Sequence, residues 1–190
     1  MSAQPDARKM TLAEYLAFAE TSEEKHEYVN GFVYAMSGGT LEHSRISSAL
    51  IRALGNALDG RPCVVFTSDG RVRVERTGTS TYPDASVVCG KLETSKADPH
   101  ATTNPSVIFE VLSPTSEAYD RGAKANHYRQ LPSLREYVLI SQEEPRVEVQ
   151  RLNAQGLWEL RFFGKGEQIE LASLDVRLSV DALYANPLPS

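Results

Sequence analysis

Two apolar runs with a helical stretch between them constrain this chain more than any other feature. Val107-Ile108-Phe109-Glu110-Val111-Leu112 and Glu136-Tyr137-Val138-Leu139-Ile140 both read as buried strands. Between them, Ser113-Pro114-Thr115-Ser116 offers several caps for a helix from about Glu117 to Gln130. Tyr119, Ala123, His127 and Leu131 share one face of that helix, Lys124 and Tyr128 form the adjacent stripe, and Leu131-Pro132 ends it. A strand-helix-strand unit of this kind is expected to pair in parallel with a right-handed crossover, which requires an α/β core.

Glu110 is the exception inside the first run. A second acidic residue has a similar setting: Tyr82-Pro83-Asp84 leads directly into the apolar strand Ala85-Ser86-Val87-Val88-Cys89. A carboxylate among such neighbours must be paired, hydrogen-bonded or metal-bound, because an uncompensated buried charge costs several kcal/mol or more. Neighbouring strands could bring the two together at one end of a sheet. If both were ionised at a separation of about 4 Å, their repulsion would be near 1 kcal/mol in water and about 4 kcal/mol at an effective dielectric constant of 20. A divalent cation with hard oxygen ligands would remove that cost, polarise a phosphoryl oxygen and activate a bound water, with a nearby lysine stabilising the developing negative charge.

Around this core the local signals are ordered. Thr11-Leu12-Ala13-Glu14 has capping-box spacing, and Leu12, Tyr15, Leu16 and Ala19 fall on one helical face. Asn30-Gly31 joins His26–Val29 to Phe32–Ala35 as a two-residue hairpin turn. Ile46, Ala49, Leu50, Ala53, Leu54, Ala57 and Leu58 mark the clearest helix, which stops near Gly60. Cys63–Thr67 and Arg71–Val74 flank Ser68-Asp69-Gly70 and are expected to form a second hairpin, its second strand half exposed. Glu75–Thr81 reads as a polar stretch, and Gly90–Asn104 as a surface connection. Val147–Leu152, Leu157–Phe163 and Gln168–Leu171 suggest a C-terminal β-meander, followed by a short helix near Ser179.

The 190 residues suit a single domain over residues 11–190 with a flexible N-terminus over 1–10. Hydrophobic content of 41% and charged content of 24% argue against disorder, and no run has the length and apolarity of a signal or membrane span, so a cytoplasmic setting without membrane partners is expected. Cys63 and Cys89 lack C-x-x-C spacing and read as small core residues. A net charge of −5 disfavours a broadly basic nucleic-acid-binding surface while leaving room for a local cleft or metal-mediated binding.

Taken in order, Glu27-Tyr28-Val29-Asn30-Gly31, Glu42-His43-Ser44-Arg45-Ile46, Tyr82-Pro83-Asp84, Glu110-Val111-Leu112-Ser113-Pro114, the Asp120, Lys124 and Tyr128 series, and Glu136–Ile140 resemble the Uma2 family, also called DUF820. The resemblance runs from about Thr11 to Leu152. It implies an α/β restriction-endonuclease-like fold of the PD-(D/E)XK nuclease superfamily, a mixed β-sheet flanked by helices, with Mg2+ or Mn2+ as cofactor. It further implies metal-dependent endonuclease activity on nucleic acid, DNA first.

By that resemblance Asp84 and Glu110 are the metal-binding carboxylates, and Leu112 stands where the usual E-x-K lysine would be. Lys124 is the natural substitute, while Glu27 and His43 match further polar positions that could add a ligand, position water or contact phosphate. Read alone, each has a plainer role: Glu110 as the ion-pair partner of Arg45, Lys124 or Arg121, Asp84 as a strand-starting turn residue, Lys124 as a solvated helix lysine, His43 as a cap, and Glu27 as an exposed strand carboxylate. The missing strand lysine and the acidic net charge also leave a noncatalytic binding or regulatory module as the alternative. Self-association as a homodimer is expected to use a sheet edge or apolar surface of the C-terminal strands.

Overall fold

A capping box starts the first helix, α1 (Leu12–Thr21): the Thr11 hydroxyl accepts the Glu14 N–H at 3.3 Å, and the Glu14 carboxylate accepts the Thr11 N–H at 2.7 Å. A computed structural model of the chain describes residues 8–36 and 38–186. Its strands divide between two six-stranded mixed sheets and a small hairpin. The first sheet contains β1 (Arg8–Lys9), β2 (His26–Val29), β3 (Phe32–Ala35), β5 (Arg71–Val74), β6 (Thr79–Thr81) and β8 (Ala101–Thr102), in the order β1-β3-β2-β6-β5-β8. The second contains β4 (Cys63–Thr67), β7 (Ala85–Cys89), β9 (Val107–Leu112), β10 (Glu136–Ser141), β11 (Arg146–Leu152) and β12 (Trp158–Gly164), in the order β12-β11-β10-β9-β7-β4.

The expected parallel unit is present: β9 and β10 pair in parallel from Glu136–Val107 to Ser141–Leu112. Every residue of β9 is buried because both faces of the second sheet are covered. On one face Val107, Phe109 and Val111 pack beneath helix α2 (Leu41–Ala57), the hairpin of β13 (Gln168–Leu171) and β14 (Val176–Ser179), and α5 (Val180–Tyr184). On the other, Ile108 and Leu112 meet Val72 and Val74 of the first sheet together with Ala125 and Tyr128 of the crossover helix. Glu110 belongs to this second face by strand alternation, so it points into the junction between sheet, sheet and helix.

Several local expectations change. The Asn30-Gly31 hairpin forms as predicted, both residues taking positive φ. The second hairpin does not: β4 pairs with β7 and β5 with β6 and β8, so Ser68–Gly70 carries the chain from one sheet to the other. β5 is largely buried, not half exposed, because the Arg73 guanidinium is satisfied by Glu75, Ser80 and the Gly78 carbonyl. The polar stretch before Tyr82 supplies β6. The Gly90–Asn104 connection supplies β8, and it buries Asp98 against Arg71.

β11 and β12 pair as a meander, but β13 leaves it to pair with β14. Within the N-terminal segment expected to be flexible, Arg8 and Lys9 add β1 beside β3; residues 1–7 lie outside the described residues. Cys63 and Cys89, read as core residues, are disulfide-bonded and lie nearer the surface. The Gly90 N–H donates to the Pro62 carbonyl at 2.7 Å, which makes Cys63 and Cys89 a non-hydrogen-bonded cross-strand pair, the position where opposing side chains lie closest. No helix among the described residues is long and apolar enough to cross a membrane.

Candidate active site

The crossover between β9 and β10 is helical but not a regular α-helix. It runs as α3 (Glu117–Tyr119), a π-helical turn over Asp120–Lys124, and α4 (Ala125–Tyr128). The wider turn changes the buried face. Ala123, placed on the apolar stripe by 3.6-residue spacing, is exposed, whereas Asp120, Lys124, Ala125 and Tyr128 turn inward. This brings Lys124 over Glu110, with Nζ 2.8 Å from Oε1. Glu27 of β2 lies 3.2 Å from the same ammonium, and Asp120, one turn back, lies 3.7 Å away.

Glu27, Glu110, Asp120 and Lys124 are only 7, 4, 3 and 5% exposed, so their charges are poorly served by water and depend on one another. Burial pushes Glu110 well above the usual carboxylate range, and Asp120 and Asp84 push it further while Lys124 opposes. Asp120 is raised as well, chiefly by burial. Burial works against the Lys124 ammonium, yet the facing Glu110, Glu27 and Asp120 outweigh it and hold the lysine charged.

Asp84 reaches the cluster through sheet register. Ala85 pairs with Phe109 in the antiparallel β7–β9 ladder, and one further step along both strands sets Asp84 level with Glu110. Its Oδ2 accepts the Val111 N–H at 2.7 Å and lies 3.1 Å from His43 Nε2. His43 stands in the first turn of α2, where Thr40 caps its N–H at 3.1 Å. The hydrogen bond to Asp84 raises the imidazole pKa despite its partial burial. A Cβ on Gly39 would come within 2.7 Å of the ring Nδ1, so glycine makes room for the imidazole at that position.

The five residues singled out from sequence therefore fall into two contact groups, Asp84 with His43 and Glu110 and Glu27 with Lys124, which the β7–β9 register brings level. Three others join them; sequence reasoning gives Tyr128 the part of a packing residue that orients Lys124 and gives Asp120 and Tyr119 none. Asp120 adds a third carboxylate beside Lys124; its four-residue spacing from the lysine was the available signal. Tyr128 donates to Glu110 Oε1 at 3.0 Å and lies 2.9 Å from the Thr81 hydroxyl, so it fixes the carboxylate as well as packing. The Tyr119 ring lies 5.9 Å from Lys124 Nζ.

The donor set suits a hard divalent cation. Among the described residues, Oδ1 of Asp84 and Oε2 of Glu110 accept no protein hydrogen bond, and the carboxylates outnumber the cationic groups. Among the described residues no group of three or more His, Cys, Asp or Glu side chains is placed to hold a metal ion together, so any cation here would rest on fewer protein ligands.

Comparison with known proteins gives the family and the fold. The family model described as "Uma2: Putative restriction endonuclease" matches residues 12–182. This chain belongs to the Uma2 family. Two Synechocystis sp. relatives, the uncharacterized proteins slr1290 and sll1609, are 36% and 32% identical to it. Those alignments cover 93% and 88% of this Uma2 chain and 92% and 95% of the relatives. A crystal structure of "a putative nuclease belonging to DUF820" from Anabaena variabilis superposes with a TM-score of 0.75 at 21% identity, covering 92% of this chain and 97% of that one. The Uma2 chain thus has the restriction-endonuclease-like fold.

Proposed function

We propose that this Uma2 protein is a metal-dependent endonuclease that hydrolyses phosphodiester bonds in nucleic acid, DNA being the first substrate to test. The observation that carries the reading is Lys124 Nζ at 2.8 Å from Glu110, with Asp84, immediately before β7, set level with Glu110 by the β7–β9 register. Two carboxylates and a lysine are the parts the chemistry needs, and the helix supplies the lysine because Leu112 occupies the strand position.

Asp84 and Glu110 would hold Mg2+ or Mn2+. Bound there, the cation would supply Lewis-acid polarisation of the phosphate and a more acidic water. Tyr128 holds Glu110 in place, and the Val111 N–H and His43 hold Asp84. In hydrolysis the water oxygen bonds to phosphorus as the bond to the leaving sugar oxygen breaks. One water proton departs and the leaving oxygen gains a proton. Lys124 places a fixed positive charge beside the phosphoryl oxygens as their negative charge grows. His43, kept protonated to higher pH by Asp84, offers a second cationic contact to phosphate.

The test uses purified protein with single-stranded DNA, duplex DNA and RNA in the presence of Mg2+ or Mn2+. Cleavage should require the metal and fall at least 100-fold in Asp84→Ala, Glu110→Ala and Lys124→Met. Cleavage that survives the two carboxylate substitutions would overturn the assignment. A noncatalytic nuclease-fold module is the second reading, favoured by the extent to which carboxylates already engage the buried Lys124 ammonium. It predicts no cleavage, whether or not the fold keeps the cation, and an absence of Mg2+ or Mn2+ heat in calorimetry would favour it.

A further inference from the structure

The second sheet ends at β12, whose outer edge pairs with no strand among the described residues. Edges of this length usually carry some protection against pairing. This one exposes apolar side chains: Leu160 and Phe162 are 52 and 50% exposed, on the same face as the partly buried Trp158.

Hydrogen-bond parity is readable from one contact. The Asn153 N–H donates to the Leu157 carbonyl at 2.8 Å, and antiparallel alternation from that pair directs the backbone groups of residues 159, 161 and 163 toward β11. The N–H and C=O groups of Trp158, Leu160 and Phe162 therefore point outward.

We propose that β12 pairs antiparallel with β12 of a second copy of this chain, about a two-fold axis at Leu160. In that register Leu160 meets Leu160 of the second copy, and Trp158 meets its Phe162 in both directions. These three pairs are the outward-directed ones, so each exchanges two backbone hydrogen bonds. Glu159 then faces Arg161 of the second copy, twice by symmetry, in the non-hydrogen-bonded pairs where side chains approach most closely. Moving the axis one residue either way sets Glu159 against Glu159 or Arg161 against Arg161. The charge order of β12 thus favours the register centred on Leu160 over its two nearest neighbours, that register alone also pairs all three apolar side chains of the stripe, and the axis makes the contact closed and isologous.

The axis runs along the sheet normal, so the Glu110-bearing faces of both copies lie on the same side. Seven strand steps separate the two β9 strands, about 34 Å at the usual spacing between neighbours. The functional meaning of that separation rests on the nuclease reading; the interface does not.

Light scattering and sedimentation of the full chain should give twice the 21.0 kDa chain mass at micromolar concentration. Glu159→Arg and Arg161→Glu should each weaken dimerisation at least tenfold with an unchanged circular dichroism spectrum, and combining them should restore the dimer. A wild-type monomer, single variants that remain dimeric, or a double variant that stays monomeric would each overturn the proposal. None of these outcomes depends on cleavage activity.

Discussion

Glu110 is the most informative residue, and its burial sets it well above the usual carboxylate range. Burial raises it and Asp120, and the hydrogen bond that the His43 imidazole donates to Asp84 raises His43, so the folded chain binds these protons more tightly than the unfolded one. Stability from such groups is complete below their unfolded pKa values and is lost as pH climbs through the folded ones. Glu14 and Glu42, held low by their hydrogen bonds, have the opposite sign, but their contribution is already complete above about pH 5. These site groups should therefore make the melting temperature fall as pH rises above about 5, and Glu110→Gln should flatten that slope. Thermal melts of both proteins across this range check it; parallel slopes would show that Glu110 does not carry the proton. The acidic pair was legible in the sequence because a lone carboxylate in an apolar run is conspicuous. Asp120 was not given a site role, because an acid on a helix next to Arg121 looks like ordinary solvated surface until the helix is seen to turn it inward.

Helix α2 delivers His43 to Asp84, and its N-cap sets the angle of delivery. Thr40 accepts the His43 N–H and donates its hydroxyl to Gln142 at 2.9 Å. Thr40→Ala should cost about 1 kcal/mol of stability, measurable by urea denaturation. It should also lower the His43 pKa as the contact with Asp84 loosens, which NMR titration of the imidazole would read; an unchanged titration would show that Asp84 alone positions the ring. Elements with strong local signals, such as the Thr11 capping box, the Asn30-Gly31 turn and the α2 stripe, were legible because their causes lie within a few residues. The crossover helix was placed correctly but its face was not, since spacing arguments assume 3.6 residues per turn and a π turn breaks that assumption. Arg71–Val74 was identified as a strand but paired with the wrong neighbour, because the choice between a hairpin and a crossing to another sheet is decided by packing partners distant in sequence.

At the scale of the whole molecule, the site is a junction. Glu27 comes from the first sheet, Asp84 from the segment joining the sheets, Glu110 from the second sheet and Lys124 from the helix laid against both. The Cys63–Cys89 bond closes a loop, spanning a sequence separation of 26, that contains β5, β6 and Asp84. Closing a loop of that size restricts the unfolded chain by about 3.5 kcal/mol. Reduction, or the paired Cys63→Ala and Cys89→Ala substitution, should lower the melting temperature by roughly 10 °C in scanning calorimetry; an unchanged midpoint would show that the bond adds nothing to the fold. That pairing was not legible, because it depends on the strand register and not on any local cysteine spacing. The location of Lys124 has a dynamic consequence as well. Since the lysine rides on the connection between β9 and β10 and not on either strand, a local opening of residues 117–128 would separate ammonium from carboxylate while the sheets stay folded. Heating should then extinguish activity before the global transition, and amide exchange along that segment should report the opening.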